Sequence, residues 1–286
     1  MSAHLVIHDS PLPYWWVSPD IWVVPGADPN GAPGSPIAGQ PAYVWARVSN
    51  VGTDAANGTR IDFYWANPSA QVVVGVATKI GSAFVDLAPG DTQEVLCLVP
   101  WIPVIVNGGH ECLLAVAHGS GDTSPIPDPL PNGYPLDPPS HEQIAQVNLS
   151  VLEARMLRAP LSITVTGIGR SEKQAHLAVE FGRDVDKRIL AQMGLHDLRP
   201  ARENVVEVFL SPEARCDEKP DPHGKRELEV YVPRGTWVPV FVTIHATQLA
   251  QNEYQLVHVV ERNAGMIVGG VTYLVVNRNS YEEEQS

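Results

Sequence analysis

Ten histidines among 286 residues raise the question of a metal site, and the tightest group is His110, Glu111 and His118 in the run NGGHECLLAVAH. That run reads as a strand, along which eight residues span roughly 25 Å at ~3.3 Å per residue, so the two histidines cannot share an ion from an unbroken strand. His223 with Asp217, Glu218 and Asp221 makes a second group in a polar loop, without the regular acidic spacing of a calcium loop. For nucleophilic catalysis there is no Gly-x-Ser-x-Gly elbow and no cysteine at a helix start beside a histidine. Gly265 to Gly270 lacks the lysine and the strand-to-helix context of a phosphate loop. Gly269-Gly270 inside a strand instead marks a bulge or a close backbone approach. Asp184 and Asp186 could in principle serve a glycosidase, but they open a predicted helix, where the macrodipole favours acids. These patterns predict no catalytic residue, no bound metal and no cofactor.

The elements around these residues are strands. Hydrophobic residues make up 44% of the chain, with 26 prolines and 23 glycines, a composition suited to many short strands joined by turns. Val44, Ala46 and Val48 alternate with Tyr43, Trp45 and Arg47; after a turn rich in Asn and Gly, Ile61, Phe63 and Trp65 alternate with Arg60, Asp62 and Tyr64. The expectation is a hairpin with one apolar face, covered by a second sheet. Further strands are expected over 18–24, 79–87, 93–99, 111–118 and 144–152. At this length the chain is expected to hold two domains.

A strand ending in Val48-Ser49-Asn50-Val51-Gly52, a downstream Leu87-Ala88-Pro89-Gly90-Asp91 and a following strand before Pro100-Trp101 together resemble the CARDB-type family of bacterial immunoglobulin-like domains. The resemblance covers residues 18 to about 153. It implies a non-catalytic, adhesion-related sandwich of the kind appended to surface, secreted or assembly-forming proteins. The second half resembles no family.

Residues 1–17 form an aromatic N-terminal tail containing Tyr14-Trp15-Trp16, and six of the seven tryptophans precede residue 102. Two readings stand: packing in a core or between domains, or an exposed platform for sugars or a partner chain. The segment 119–142 carries seven prolines and no strand pattern. It is either a semi-rigid arm offered to a neighbour, with Leu130 and Tyr134 as anchors, or a solvated insertion. Residues 154–280 read as a second sandwich with strands near 161–167, 175–181, 205–210, 227–232, 238–245, 254–261 and 266–276. Over 184–194, Val185, Ile189, Leu190 and Met193 share a helical face, with Asp184 as cap and Gly194 as stop. Residues 281–286 are an acidic tail.

Cys97 and Cys112 lie in apolar strands and either bridge across the sandwich or stay as buried free thiols; Cys216 sits in a loop. The net charge of -13 argues against nucleic acid and anionic membranes as partners. The N-terminus lacks the features of a secretory signal and no run is long and apolar enough to span a bilayer, so the expected product is soluble and cytoplasmic, exported by another route if it works outside.

The fold expected is therefore all-β, two immunoglobulin-like β-sandwich domains in tandem, the second with one short helix. The function expected is a structural or assembly subunit working through protein–protein contacts, with itself or with other chains. The alternative is a glycan- or ligand-binding adhesion module using Trp15, Trp16 or Trp45. The candidate interaction surface comprises Tyr14, Trp15, Trp16, Trp45, Leu130 and Tyr134.

Overall fold

The computed structural model describes residues 2–10, 13–67, 72–104, 111–154, 161–166, 172–213 and 225–278. In chain order the strands are β1 (Leu5–Val6), β2 (Ile21–Pro25), β3 (Ala42–Asn50), β4 (Ala56–Ala66), β5 (Thr78–Leu87), β6 (Thr92–Leu96), β7 (Cys112–His118), β8 (Ile144–Val147), β9 (Leu149–Glu153), β10 (Leu161–Thr166), β11 (Lys173–Gly182), β12 (Arg199–Pro200), β13 (Glu207–Ser211), β14 (Glu227–Val232), β15 (Trp237–His245), β16 (Glu253–Asn263) and β17 (Met266–Asn277), with one helix, α1 (Lys187–Gln192). The architecture is all-β, two β-sandwiches in tandem with that helix in the second half.

In the first sandwich β3 pairs with β1 and β2 along one edge and with β6 along the other. The facing sheet runs β5-β4-β7-β8. The expected hairpin of 43–49 with 60–65 does not form, because β3 and β4 lie in opposite sheets. The physical reason is in the alternation itself. Val44, Ala46 and Val48 on β3 and Ile61 and Phe63 on β4 are apolar inner faces, and they bury one another in a single core only when the sheets face each other. The connection is thus a corner, and Asn50 clips it. This fully buried side chain accepts from the N–H groups of His4 (3.1 Å) and Gly52 (3.1 Å), and its Nδ2 donates to the carbonyls of Asp54 (2.8 Å) and Leu87 (3.1 Å). The Asn-Val-Gly and Ala-Pro-Gly-Asp turns, far apart in sequence, meet there: Gly90 N–H donates to the Asn50 carbonyl and Asn50 N–H to that of Asp91.

The segment 119–142 is neither a free arm nor a solvated insertion. It folds back over the outer face of β4 and β7, where Ile126, Leu136 and the partly buried Leu130 and Tyr134 pack on Tyr64, Cys112, Leu114 and Val116. Val74 N–H donates to the Tyr134 carbonyl (3.0 Å) and Leu136 N–H to that of Val72 (3.0 Å). The strand period also settles the thiols. Cys112 faces this outer cluster while Cys97 faces the inner core, so the sheet separates them and both are free. Cys216, like His110, His223, Asp217, Glu218 and Asp221, lies outside the described residues.

The second sandwich sets β10-β15-β13 against β14-β11-β16-β17-β9. The single strand expected over 144–152 is two strands: β8 closes the first sandwich on β7, and β9 crosses to pair in parallel with β17 of the second. Helix α1 is shorter than expected and is capped by Asp186, not Asp184. The Asp186 carboxylate accepts from Arg188 N–H at 2.8 Å, satisfying one of the N–H groups a helix start leaves open.

The described residues of the first 17 are packed against both halves and do not project as a tail. Ala3, Leu5 and Ile7 sit in the first core, and Trp15, Trp16 and Val17 sit in a cluster with Ile189, Leu190, Leu256 and Leu274 of the second half. Residues 2–10 and 13–20 therefore tie one sandwich to the other, as a strap.

Candidate functional site

Two polar sites stand out, each built around a buried carboxylate. The first is Asp20, with no exposed surface, at the end of the strap. Its Oδ1 accepts from Arg47 Nη1 (3.3 Å) on β3 and from Arg188 Nη1 (2.6 Å) on α1. Its Oδ2 accepts from the His8 backbone N–H (3.2 Å) and lies 2.8 Å from His8 Nδ1. One arginine comes from each sandwich, so the carboxylate joins them. The arginines are anchored in turn, Arg47 to Glu94 (2.7 Å) and Arg188 to Asp186 (3.1 Å), and Gln192 Nε2 adds a bond to the Pro19 carbonyl (3.1 Å).

Beside this joint the aromatic knot plugs the second sandwich. Trp16 is fully buried, its Nε1 donating to Thr272 Oγ1 at 2.9 Å. Gly270 gives the indole its room: a Cβ there would lie 2.4 Å from the ring, and this is the close approach expected of the Gly269-Gly270 pair. Tyr14 stacks on the His258 ring (3.7 Å between centroids, 8° between planes) and donates to Glu180 Oε2 at 2.7 Å. Burial and then Glu180 push the Tyr14 hydroxyl up, well beyond an ordinary tyrosine. Burial holds the His258 imidazole down at about 4, Glu180 opposing it in part, so the ring is neutral near pH 7.

The second site is a cleft of about 420 Å³ on the first sandwich, between its outer sheet face and the segment 119–142. Strand register builds it. Arg60 on β4 lies directly opposite Phe84 on β5 and opposite His118 on β7, so the three form a row across the sheet on one face. Two residues along, on the same face, Asp62 is buried behind the row. It accepts from Ser82 Oγ (2.7 Å), Lys79 Nζ (2.9 Å) and Arg60 Nε (3.1 Å). Burial pushes the Asp62 carboxyl up, but contacts from His118, Lys79 and Ser82 outweigh it and hold the group well below the usual carboxylate range. The neighbouring Tyr64 hydroxyl is pushed up to about 12, by burial first and by Asp62 second.

The floor of this cleft has polar capacity to spare. His118 Nε2 is 3.5 Å from Asp62 Oδ2, too long for a good hydrogen bond, and Nδ1 has no partner. Gln143 donates to Asp122 Oδ1 (3.1 Å) and the Ser124 carbonyl (2.7 Å), while its own Oε1 is unmatched. At the rim Arg60 Nη2 reaches Asp128 Oδ1 at 2.6 Å, and Phe84 is 70% exposed.

The residues proposed from sequence as an interaction surface are dispersed. Trp15 and Trp16 are buried, Tyr14 of the strap is stacked on His258, and Trp45 is half-buried, stacked on Trp22 and bonded through Nε1 to the Pro29 carbonyl (3.1 Å). Leu130 and Tyr134 hold 119–142 down on its own sheet, Tyr134 with its hydroxyl 2.9 Å from His141 Nε2. Asp186 serves the start of α1 and, through Arg188, the joint, and Asp184 does neither. Among the described residues no three His, Cys, Asp or Glu side chains group to hold a metal ion, and no helix is long and apolar enough to cross a membrane. Sequence reasoning missed Asp20, Arg60 and Asp62. The available signal was a charged residue in an outward position of an otherwise well-alternating strand, as Arg60 and Asp62 are on β4.

No protein-family model matches the chain, and no curated protein matches it. Among solved structures it is similar to a CARDB domain from Pyrococcus furiosus in complex with di-metal ions, at 15% identity and a TM-score of 0.26, over 48% of this chain and 90% of that one. It is similar to a tip adhesin of Pseudomonas aeruginosa at 8% identity and a TM-score of 0.24, over 98% of this chain and 99% of that one. An enterotoxigenic Escherichia coli adhesin gives 7% identity and a TM-score of 0.19, over 96% and 93% of the two chains. Likenesses at this level carry no argument about function, and the all-β reading stands on the strand pairing itself.

Proposed function

We propose that this chain is a non-catalytic structural or assembly subunit whose two sandwiches are presented to other protein chains as one unit. The observation that supports the reading is the Asp20 joint. Burying a carboxylate costs several kcal/mol of lost hydration, which is offset only when partners are well placed. Here the partners come one from each sandwich, and the largest aromatics of the strap are spent on the same seam. What such a joint secures is the relative placement of two surfaces, which is what a contact spanning both sandwiches requires.

The reading is tested by the absolute mass of the full chain in solution, by light scattering over a concentration series. A species well above the 31.0 kDa chain that grows with concentration is expected. A 31.0 kDa particle at every concentration, in the absence of any added partner, would remove self-assembly and leave contact with a different chain as the form of the proposal. In that case a pull-down with Asp20→Ala as the comparison must show a partner that the variant loses.

A further inference from the structure

We propose that the cleft bounded by Phe84, Arg60, Asp128 and the 119–121 backbone is a binding site for a neutral polyhydroxylated ligand, a glycan residue of hexose size. The cleft, at about 420 Å³, falls in the range of small-ligand sites, roughly 300–1,000 Å³. Its walls combine the two kinds of group that a sugar requires. Phe84 offers an apolar ring, 70% exposed, to the C–H face of a pyranose. Arg60 gives Nε to Asp62 and Nη2 to Asp128 (2.6 Å), and its remaining guanidinium N–H groups lie beside the Asp128 carboxylate, donor next to acceptor, which matches adjacent hydroxyls that each donate and accept. Asn57 and Ser120 add exposed amide and hydroxyl groups at the same mouth.

Charge decides against other small ligands. Arg60 and Lys79 are balanced by Asp128 and Asp62, and Asp122 adds a further negative charge that is engaged with Leu5 N–H (3.1 Å) and Gln143 Nε2. A phosphate or carboxylate would meet the Asp122 and Asp128 carboxylates and an arginine already paired. A cation would meet Arg60 at the rim. A neutral ligand that exchanges hydrogen bonds with both members of the Arg60–Asp128 pair meets neither penalty.

The test is a glycan array carrying neutral, sialylated and sulfated oligosaccharides, probed with the full chain and followed by calorimetric titration of the best neutral sugar. Binding to neutral glycans is expected, and Phe84→Ala should weaken it about tenfold while leaving the melting temperature unchanged within error. Asp128→Asn should weaken the same sugar and leave binding of any acidic glycan no worse. The proposal is overturned by no neutral-sugar binding up to about 10 mM, by a preference for sulfated or sialylated glycans, or by binding that Phe84→Ala leaves intact.

Discussion

Asp20 and Asp62 are both carboxylates removed from water, both met by two basic side chains, and they are built for different ends. Around Asp20 every approach is closed: Arg47, Arg188 and the His8 N–H and ring take its oxygens, and the basic groups come from three separate parts of the chain. Around Asp62 the partners Arg60, Lys79 and Ser82 all come from adjacent strands of one sheet, and the row above it opens into a cleft with unmatched polar atoms in its floor. A closed site uses its hydrogen-bonding capacity on architecture. The open one leaves Arg60, Asp128 and Phe84 at its rim.

If that contrast is right, the joint should be expensive to disturb and the cleft rim cheap. Trp16→Ala is the most damaging change expected, about 3–5 kcal/mol by denaturant unfolding, since it empties the seam and removes the indole bond to Thr272. Acid should come next. His258 binds its proton only near pH 4 in the fold but at an ordinary 6.5 when unfolded, so between those values the unfolded chain holds more protons and stability falls as pH falls. By pH 5 the loss from this group is about 2 kcal/mol, and His258→Gln should flatten that slope. Asp9 runs the other way: burial raises its carboxyl to about 8, so its ionisation opposes folding as pH rises from about 4 toward 8, and Asp9→Asn should stabilise the fold clearly more at pH 8 than at pH 4. Gly270→Ala should cost about 1–3 kcal/mol by pressing a methyl into the Trp16 ring. Phe84→Ala should change stability by less than about 0.5 kcal/mol, because its side chain is mostly in water. A large loss there would make Phe84 a packing residue and erase the distinction between the two sites.

The parts of this molecule that were legible in sequence are the local ones. The alternation of Val44, Ala46 and Val48 located β3 and its inner face, the 185–193 pattern located α1, and Gly269-Gly270 announced a close approach that proved to be Trp16. Which strands pair was not legible, because period two says which face is apolar and nothing of the neighbour; the same pattern served equally for a hairpin and for two facing sheets. The row Phe84, Arg60, His118 needs three strands in register, two of them separated by more than 50 residues of chain, so the cleft is invisible until the sheet is assembled. Trp15 and Trp16 illustrate the opposite failure. As residues they suit an exposed platform and a buried plug alike, and only the Thr272 hydroxyl and the space over Gly270 decide between them.

The central claim is that the joint makes the two sandwiches one unit, and scanning calorimetry of the full chain tests it most directly. The wild type should unfold in a single transition whose calorimetric and van't Hoff enthalpies agree, and Asp20→Ala should split it into two. Two resolved transitions in the wild type, or a single unchanged transition in Asp20→Ala, would contradict the account.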